Sequence, residues 1–295
     1  VSALARLVAD ELGATVDPRV TAMAAAIATR FGPASRAVLF YGSCLREADL
    51  DGLMLDFYLI VSDYRAAYGK GWKSFANRIL PPNVFPFEHD GLAAKVAVLS
   101  EADFHRLNGP ETDNVSVWAR FAQPSRLVWA GDGSAREAAI AAVARAAPTL
   151  LWAAHPLSDA DIDADPLALW QAAFALTYGA ELRAERGDRS GSVVDADRAR
   201  YRAFTPAALA GIERPLLSRG AAERAWSRRR REGKLLTLAR LAKATTTYAG
   251  GVDYLAWKIS RHSGMEIALK PWQRHHPIIG ALSLLPRLIR GGAIR

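Results

Sequence analysis

The stretch "AVLFYGSCLREADLDGLMLDFYLIVSD", residues 37–63, decides how the chain is read. An apolar run from Val38 to Tyr41 stops at Gly42-Ser43. After a polar interval a second apolar run extends from Leu53 to Val61, with a single acid inside it, Asp56. Both runs are rich in β-branched and aromatic residues, which predicts strands over 37–41 and 53–61 and a helical turn opening at Ser43. A lone carboxylate among strand-forming residues is costly to bury without a partner. Asp56 is therefore either a structural acid or a ligand.

Working outward, residues 1–31 read as two alanine-rich helices ended by Gly32-Pro33. Residues 64–80 read as a helix or broken helix, and "PPNVFPFEHDG" (81–91) as a proline-rich loop. "LAAKVAVLS" (92–100) is a strand, and Ser100 caps a short helix after it. Residues 113–130 hold a helix and then the start of "RLVWAGD" (126–132), a short strand with a turn. After about residue 131 alanine and leucine dominate. Helices are expected at 134–153, 166–184, 206–212, 220–248 and 251–262, with a polar loop at 185–200. The expected class is α/β (α+β). N-terminal helices (1–31) precede an α/β domain (32–131), an all-helical domain (132–262) and a basic amphipathic C-terminal segment (263–295).

The chain has 295 residues, 51% of them apolar, enough for a sizeable core. Its one cysteine, Cys44, excludes a disulfide framework and a cysteine-rich zinc site. The opening "VSALARLVADELGATVDPRV" carries early acids and no apolar h-region, so no signal peptide is expected. The apolar stretch Pro277 to Ile289 is broken by Pro286 and falls short of the ~18 residues of a membrane span. Residues 224–295 hold 15 Lys/Arg against 3 Asp/Glu, so with a whole-chain net of +8 the first 223 residues carry −4. A basic tail on a slightly acidic body implies an anionic partner, a membrane or a nucleic acid.

A strand, a Gly-Ser turn opening a helix, then a strand bearing an acid is the plan of the nucleotidyltransferase fold. Gly42 would let the backbone approach a phosphate, and the Ser43 hydroxyl with neighbouring N–H groups would hold its oxygens. Asp56 would bind Mg²⁺ bridging a triphosphate. A second carboxylate two residues away would share its face, but those places hold Met54 and Tyr58. Asp49 and Asp51 form such a pair just before the strand, and Asp51 is the candidate second metal ligand. Lys95 sits inside an otherwise apolar strand and needs an anion, which a triphosphate supplies; an edge strand with the lysine turned outward is the other reading. No histidine lies close to the Gly-Ser turn; His89 and His105 read as ordinary loop and helix residues.

Five stretches together resemble the mitochondrial-type phosphatidate cytidylyltransferases, the translocator assembly and maintenance family of CDP-diacylglycerol synthases. "YGSCL" (41–45) is similar to that family's Tyr-Gly-Ser-Gly opening, with Cys44 in place of the second glycine. "MLDFYLIVSDY" (54–64) resembles its Met-Leu-Asp-aromatic strand, which likewise carries one acid. "KVAVLS" (95–100) and "NVSVWARFAQPSRLVW" (114–129) resemble two further segments, the latter setting Arg120 and Pro124 at matching positions. "LAKATTTYAGGVDYLAWKISRHSG" (241–264) is similar to the family's helical C-terminal region. The resemblance implies CTP plus phosphatidate giving CDP-diacylglycerol and diphosphate with Mg²⁺. Asp56 and Lys95 would then be catalytic. Gly42, Ser43, Lys95 and Arg120 would bind nucleotide, and Asp56 with Asp51 the metal.

A lipid substrate requires access to an interface. The segment 270–295 offers Trp272, cations, and Leu282, Leu285, Leu288 and Ile289 on one helical face. "RRRR" (228–231) and Lys234 add charge for anionic lipid. The expected setting is cytoplasmic, peripheral on the inner face of a membrane. Nucleic acid is the less favoured partner, because most tryptophans fall at core spacings instead of forming a stacking surface. Two rivals stand beside this reading. One is a nucleotidyltransferase acting on a small molecule, protein or RNA; the other is a non-catalytic membrane-bound scaffold.

Overall fold

The computed structural model describes residues 2–47, 49–161, 164–180 and 193–247. At its centre lies a mixed sheet of five strands in the order β3-β4-β2-β1-β5. The quoted stretch supplies the middle: β1 (Ser35–Tyr41) and β2 (Met54–Val61) pair antiparallel, with Leu39 opposite Tyr58 and Tyr41 opposite Asp56. β4 (Leu92–Ser100) runs parallel to β2 and sets Lys95 beside Asp56. β3 (Asn83–His89) and β5 (Ser125–Ala130) close the two edges, each antiparallel to its neighbour. The chain is thus an α/β protein, as expected.

Local chemistry accounts for the elements. The Ser2 hydroxyl caps α1 (Ala3–Leu12) by accepting from the Ala5 amide, and Leu4, Val8 and Leu12 form its buried stripe. Asp17 caps α2 (Pro18–Phe31), which starts with proline where no N–H partner is needed and buries Met23 and Ile27. Residues 64–80 form two short helices, α3 (Tyr64–Tyr68) and α4 (Trp72–Ile79), because Gly69 takes a left-handed φ of 71° between them. Ser100 caps α5 (Glu101–Asn108) as predicted, and α6 (Trp118–Phe121) leads to β5.

The expected loop at 81–91 is corrected to a strand. β3 and β4 form a hairpin whose two-residue turn, Asp90-Gly91, has φ of 46° and 77°. Pro86 has no N–H for a ladder, so it is tolerated because β3 is an outer strand. The predicted helix over 134–153 is divided into α7 (Gly133–Ala144) and α8 (Ala146–Ala154). α9 spans Pro166–Ala180. α10 (Arg198–Ala210) begins well before the predicted residue 206, because the Asp197 carboxylate caps the Arg200 amide. α11 (Arg219–Thr247) is the long basic helix. The expected helix at 251–262 and the tail 263–295 lie outside the described residues.

Alternation along the strands gives the sheet two apolar faces. On one, Val38, Phe40, Phe57 and Leu59 pack with Met23 and Ile27 of α2. On the other, Leu39, Tyr58, Ile60 and Leu99 join Trp118, Trp170, Phe174, Tyr201 and Trp226 in one cluster. The composition change near 131 falls at the turn between β5 and α7, and this core runs across it without a break. Residues 133–157 have the length and hydropathy to cross a bilayer, but 67% of the apolar window is buried in the molecule, as in a core helix. The run at 228–231 is not a uniform cationic face. Arg229 is buried over Trp226, and both Arg228 and Arg229 reach Asp113. A helical period turns one of any four consecutive residues inward.

Candidate active site

The sheet face that packs on the helices carries one polar row. Lys95, Asp56, Tyr41 and Ser125 are successive register partners across β4, β2, β1 and β5. The next row, Ala97, Tyr58, Leu39 and Leu127, is buried and apolar or aromatic. The polar row therefore lies where the floor of the core ends and solvent begins.

Asp56 and Lys95 answer each other. The Lys95 Nζ stands 3.6 Å from Asp56 Oδ1, and the two side chains are 29% and 31% exposed. β4 is an inner strand, which removes the edge-lysine reading of Lys95. The other carboxylate oxygen lies against Gly42. That residue has φ 96° and ψ −167°, a conformation natural only to glycine. A Cβ added at Gly42 would come 3.4 Å from Asp56 Oδ2. The glycine thus keeps one side of the carboxylate open.

Ser43 is exposed and opens a single 3₁₀ turn, Ser43–Arg46, and not a full helix. So short an element has little macrodipole, and an anion placed there would depend on individual N–H groups, the hydroxyl and Lys95. Cys44 is buried behind it, its thiol donating to the Met54 carbonyl at 3.6 Å. Burial, then the nearby Asp56 charge, pushes its pKa up, so it is a thiol at neutral pH and a poor nucleophile.

Tyr41 packs against Tyr58 and Phe121 with ring centroids 5.2 and 6.0 Å apart. Burial and then the Asp56 charge hold its hydroxyl protonated, well above the usual tyrosine range, while the neighbouring Arg120 guanidinium acts in the opposite sense. Arg120 projects from α6 and also donates to the Ser116 carbonyl. Gly42, Asp56, Lys95 and, through Tyr41, Arg120 therefore converge. Asp51 is held elsewhere: on the exposed turn before β2, it accepts from Arg19 Nη1 at 2.8 Å, and Arg19 also binds Asp17. His89 pairs with Asp90 and His105 with Arg145, and neither belongs to the row.

Sequence reasoning passed over four contributors: Tyr41, Ser125, Arg240 and Lys243. Ser125 is buried beside Tyr41, and its hydroxyl has no hydrogen-bond partner among the described residues. Arg240 and Lys243 are three apart on α11, a spacing that shares a face and is the signal that could have found them. Arg240 donates to Pro81 O at 2.9 Å and to Ser116 Oγ at 3.0 Å. Lys243 donates to Pro82 O at 2.7 Å and to Leu80 O. Ser116 thus holds Arg240 by its hydroxyl and Arg120 by its carbonyl, which ties α11 to the site.

Burial, then repulsion from Arg240, lowers the Lys243 pKa to about 7. Among the described residues two backbone carbonyls accept from this nitrogen, and the neutral amine still carries two N–H donors for them. The unfolded chain keeps this proton up to about pH 10. Unfolding between pH 7 and 10 therefore takes up a proton, and the stability contributed by this group rises with pH across that interval. The stability of the wild type relative to Lys243→Met is expected to increase from pH 7 to pH 9 in chemical denaturation. A pH-independent difference would refute the neutral amine.

Among the described residues no group of three or more His, Cys, Asp or Glu side chains is placed to cage a metal. Mg²⁺ is commonly held by one or two carboxylates together with substrate phosphates, so Asp56 beside an open glycine turn fits that ion as a partner to a bound triphosphate. No family model and no curated protein matches the chain.

Proposed function

We propose that the chain is a nucleotidyltransferase, with that fold in its sheet domain, which transfers CMP from CTP to phosphatidate and releases diphosphate. The observation that carries the reading is the Asp56–Lys95 pair set against Gly42, a carboxylate and a cation presented together at an open backbone turn. Gly42 admits the triphosphate, Ser43 and the turn amides hold its oxygens, and Lys95 leaves Asp56 to neutralise phosphate charge. Arg120, braced by Ser116, supplies a second cation. Mg²⁺ bound by Asp56 would polarise the α-phosphate. Asp51 would have to part from Arg19 to join it.

An oxygen of the phosphatidate phosphate attacks the α-phosphorus of CTP, a new P–O bond forms, and the bond to diphosphate breaks. The attacking group is already anionic at neutral pH, so positioning and charge neutralisation suffice and no general base is required. This suits a site whose tyrosine is held protonated and whose row has no histidine. The acceptor places the enzyme on the cytoplasmic face of a membrane as a peripheral protein.

The test is diphosphate release from each of the four nucleoside triphosphates with Mg²⁺, with and without phosphatidate in mixed micelles. Release is expected only with CTP and phosphatidate together. Release that ignores the lipid would retain nucleotidyl transfer and remove the acceptor, and no release with any nucleotide would overturn the proposal.

A further inference from the structure

The helix α4 is turned the opposite way from most surface helices. A surface helix normally buries its large apolar residues and shows its polar ones. In α4 the buried residues are Ser74, Ala76 and Asn77, whereas Trp72, Phe75 and Ile79 are 59%, 57% and 66% exposed. Hydrogen bonds fix this orientation. Asn77 Nδ2 donates to the Val98 carbonyl of β4, and Asn83 Nδ2 donates to the Lys73 carbonyl, both at 3.0 Å. The helix cannot roll its apolar side inward without breaking them.

Trp72, Phe75 and Ile79 follow the spacing of a single helical stripe, and the two rings lie against each other with centroids 6.0 Å apart. Along α3, α4 and their linker the charge has one sign, with Asp63 just ahead of them as the α3 cap. Residues 64–80 contain Arg65, Lys70, Lys73 and Arg78 and no acid. Among the described residues none of these four forms an ion pair with a carboxylate.

We propose that α4 is a docking face for an anionic lipid bilayer, with Trp72, Phe75 and Ile79 entering the headgroup boundary and the four cations meeting lipid phosphates. An aromatic and aliphatic stripe flanked only by Lys and Arg is the composition that binds such surfaces. A second copy of the chain is a poor occupant, since a symmetric contact would set these cations against themselves. A nucleic acid would use the cations but gain little from an aliphatic Ile79 at the end of the stripe. The face is independent of the transfer reaction. It lies close to the proposed site along the chain: α4 is followed by Leu80, whose carbonyl Lys243 holds, and β3 then brings Pro86 beside Lys95.

The chain has a single cysteine, so the face can be read directly. In a Cys44→Ser background of the full chain, Phe75→Cys is labelled with an environment-sensitive fluorophore. Ala138→Cys, exposed on α7 and so near the opposite sheet edge, is labelled as control. Phosphatidylcholine vesicles containing phosphatidylglycerol are expected to shift the emission at position 75 to the blue. Pure phosphatidylcholine should not, and the control should stay silent. Lys70→Glu combined with Lys73→Glu and Arg78→Glu should abolish the shift. Vesicle sedimentation of unlabelled Trp72→Ala should fall roughly tenfold.

The proposal is overturned if position 75 stays unchanged while the protein sediments with anionic vesicles through another segment. An equal response to neutral vesicles, or a shift that follows protein concentration without lipid, would overturn it too. The latter result would assign the face to a second copy.

Discussion

Asp56→Asn is expected to lower CTP- and phosphatidate-dependent diphosphate release by about 10²–10³-fold, the size of effect seen when one charge-stabilising group is removed from a transition state. Asparagine keeps the shape of the side chain and removes only the charge. Asp56 and Lys95 are both about 30% exposed, so breaking their pair should cost less than about 1 kcal/mol of stability. The melting temperature should therefore barely move, and that is what separates a site residue from a structural one. Lys95→Met should lose activity comparably, and Lys95→Arg should not restore it, because a planar guanidinium does not replace a compact ammonium beside Gly42. Wild-type release from Asp56→Asn would leave Asp56 as a structural acid and remove it from the proposed metal site.

The second large effect is on stability. Glu11 of α1 and Arg200 of α10 form a two-pronged ion pair, with side chains 10% and 7% exposed. The same guanidinium donates to the Ala122 carbonyl at 2.9 Å and lies over the rings of Tyr201 and Phe204. Removing one partner leaves a buried charge uncompensated, so Arg200→Met or Glu11→Leu alone should destabilise the fold by about 3–5 kcal/mol. The double variant Glu11→Leu/Arg200→Met should recover most of that loss, because apolar groups of similar volume suit a dry interface. Denaturant unfolding of the four proteins reads this directly, and single variants within about 1 kcal/mol of wild type would show that the pair is solvated.

How much could be read beforehand differs from element to element. β1, β2 and β4 were legible because inner strands with apolar neighbours are nearly continuous apolar runs. β3 was not, because three prolines in and before it read as a loop, and only its position at the sheet edge makes them tolerable. Asp56 and Lys95 could each be singled out as a charge inside an apolar strand. Their pairing could not, since it depends on a parallel register set by two hairpins and the helices between them. Asp51 matched a local i, i+2 pattern, while the partner that engages it, Arg19, lies 32 residues away. In α4 a helix was legible, but its orientation was not, because Asn77 and Asn83 settle it through side-chain bonds to backbone outside the local pattern. Glu11 and Arg200, 189 residues apart, left no trace in local sequence at all.

The bracing of Arg120 has a consequence for how this chain can be divided. The sheet lies before residue 131 and could be taken for a portable unit. Yet Ser116 is held by Arg240, and the carbonyls of Leu80, Pro81 and Pro82 are held by Arg240 and Lys243. The first and last parts of the described chain therefore close around one another like a clasp. A fragment cut at the change of composition would keep Asp56 and Lys95 but leave the loop before β3 and the seat of Arg120 unfastened. Evolutionary exchange of the sheet alone onto another helical body would meet the same obstacle, so the two halves are bound to vary together.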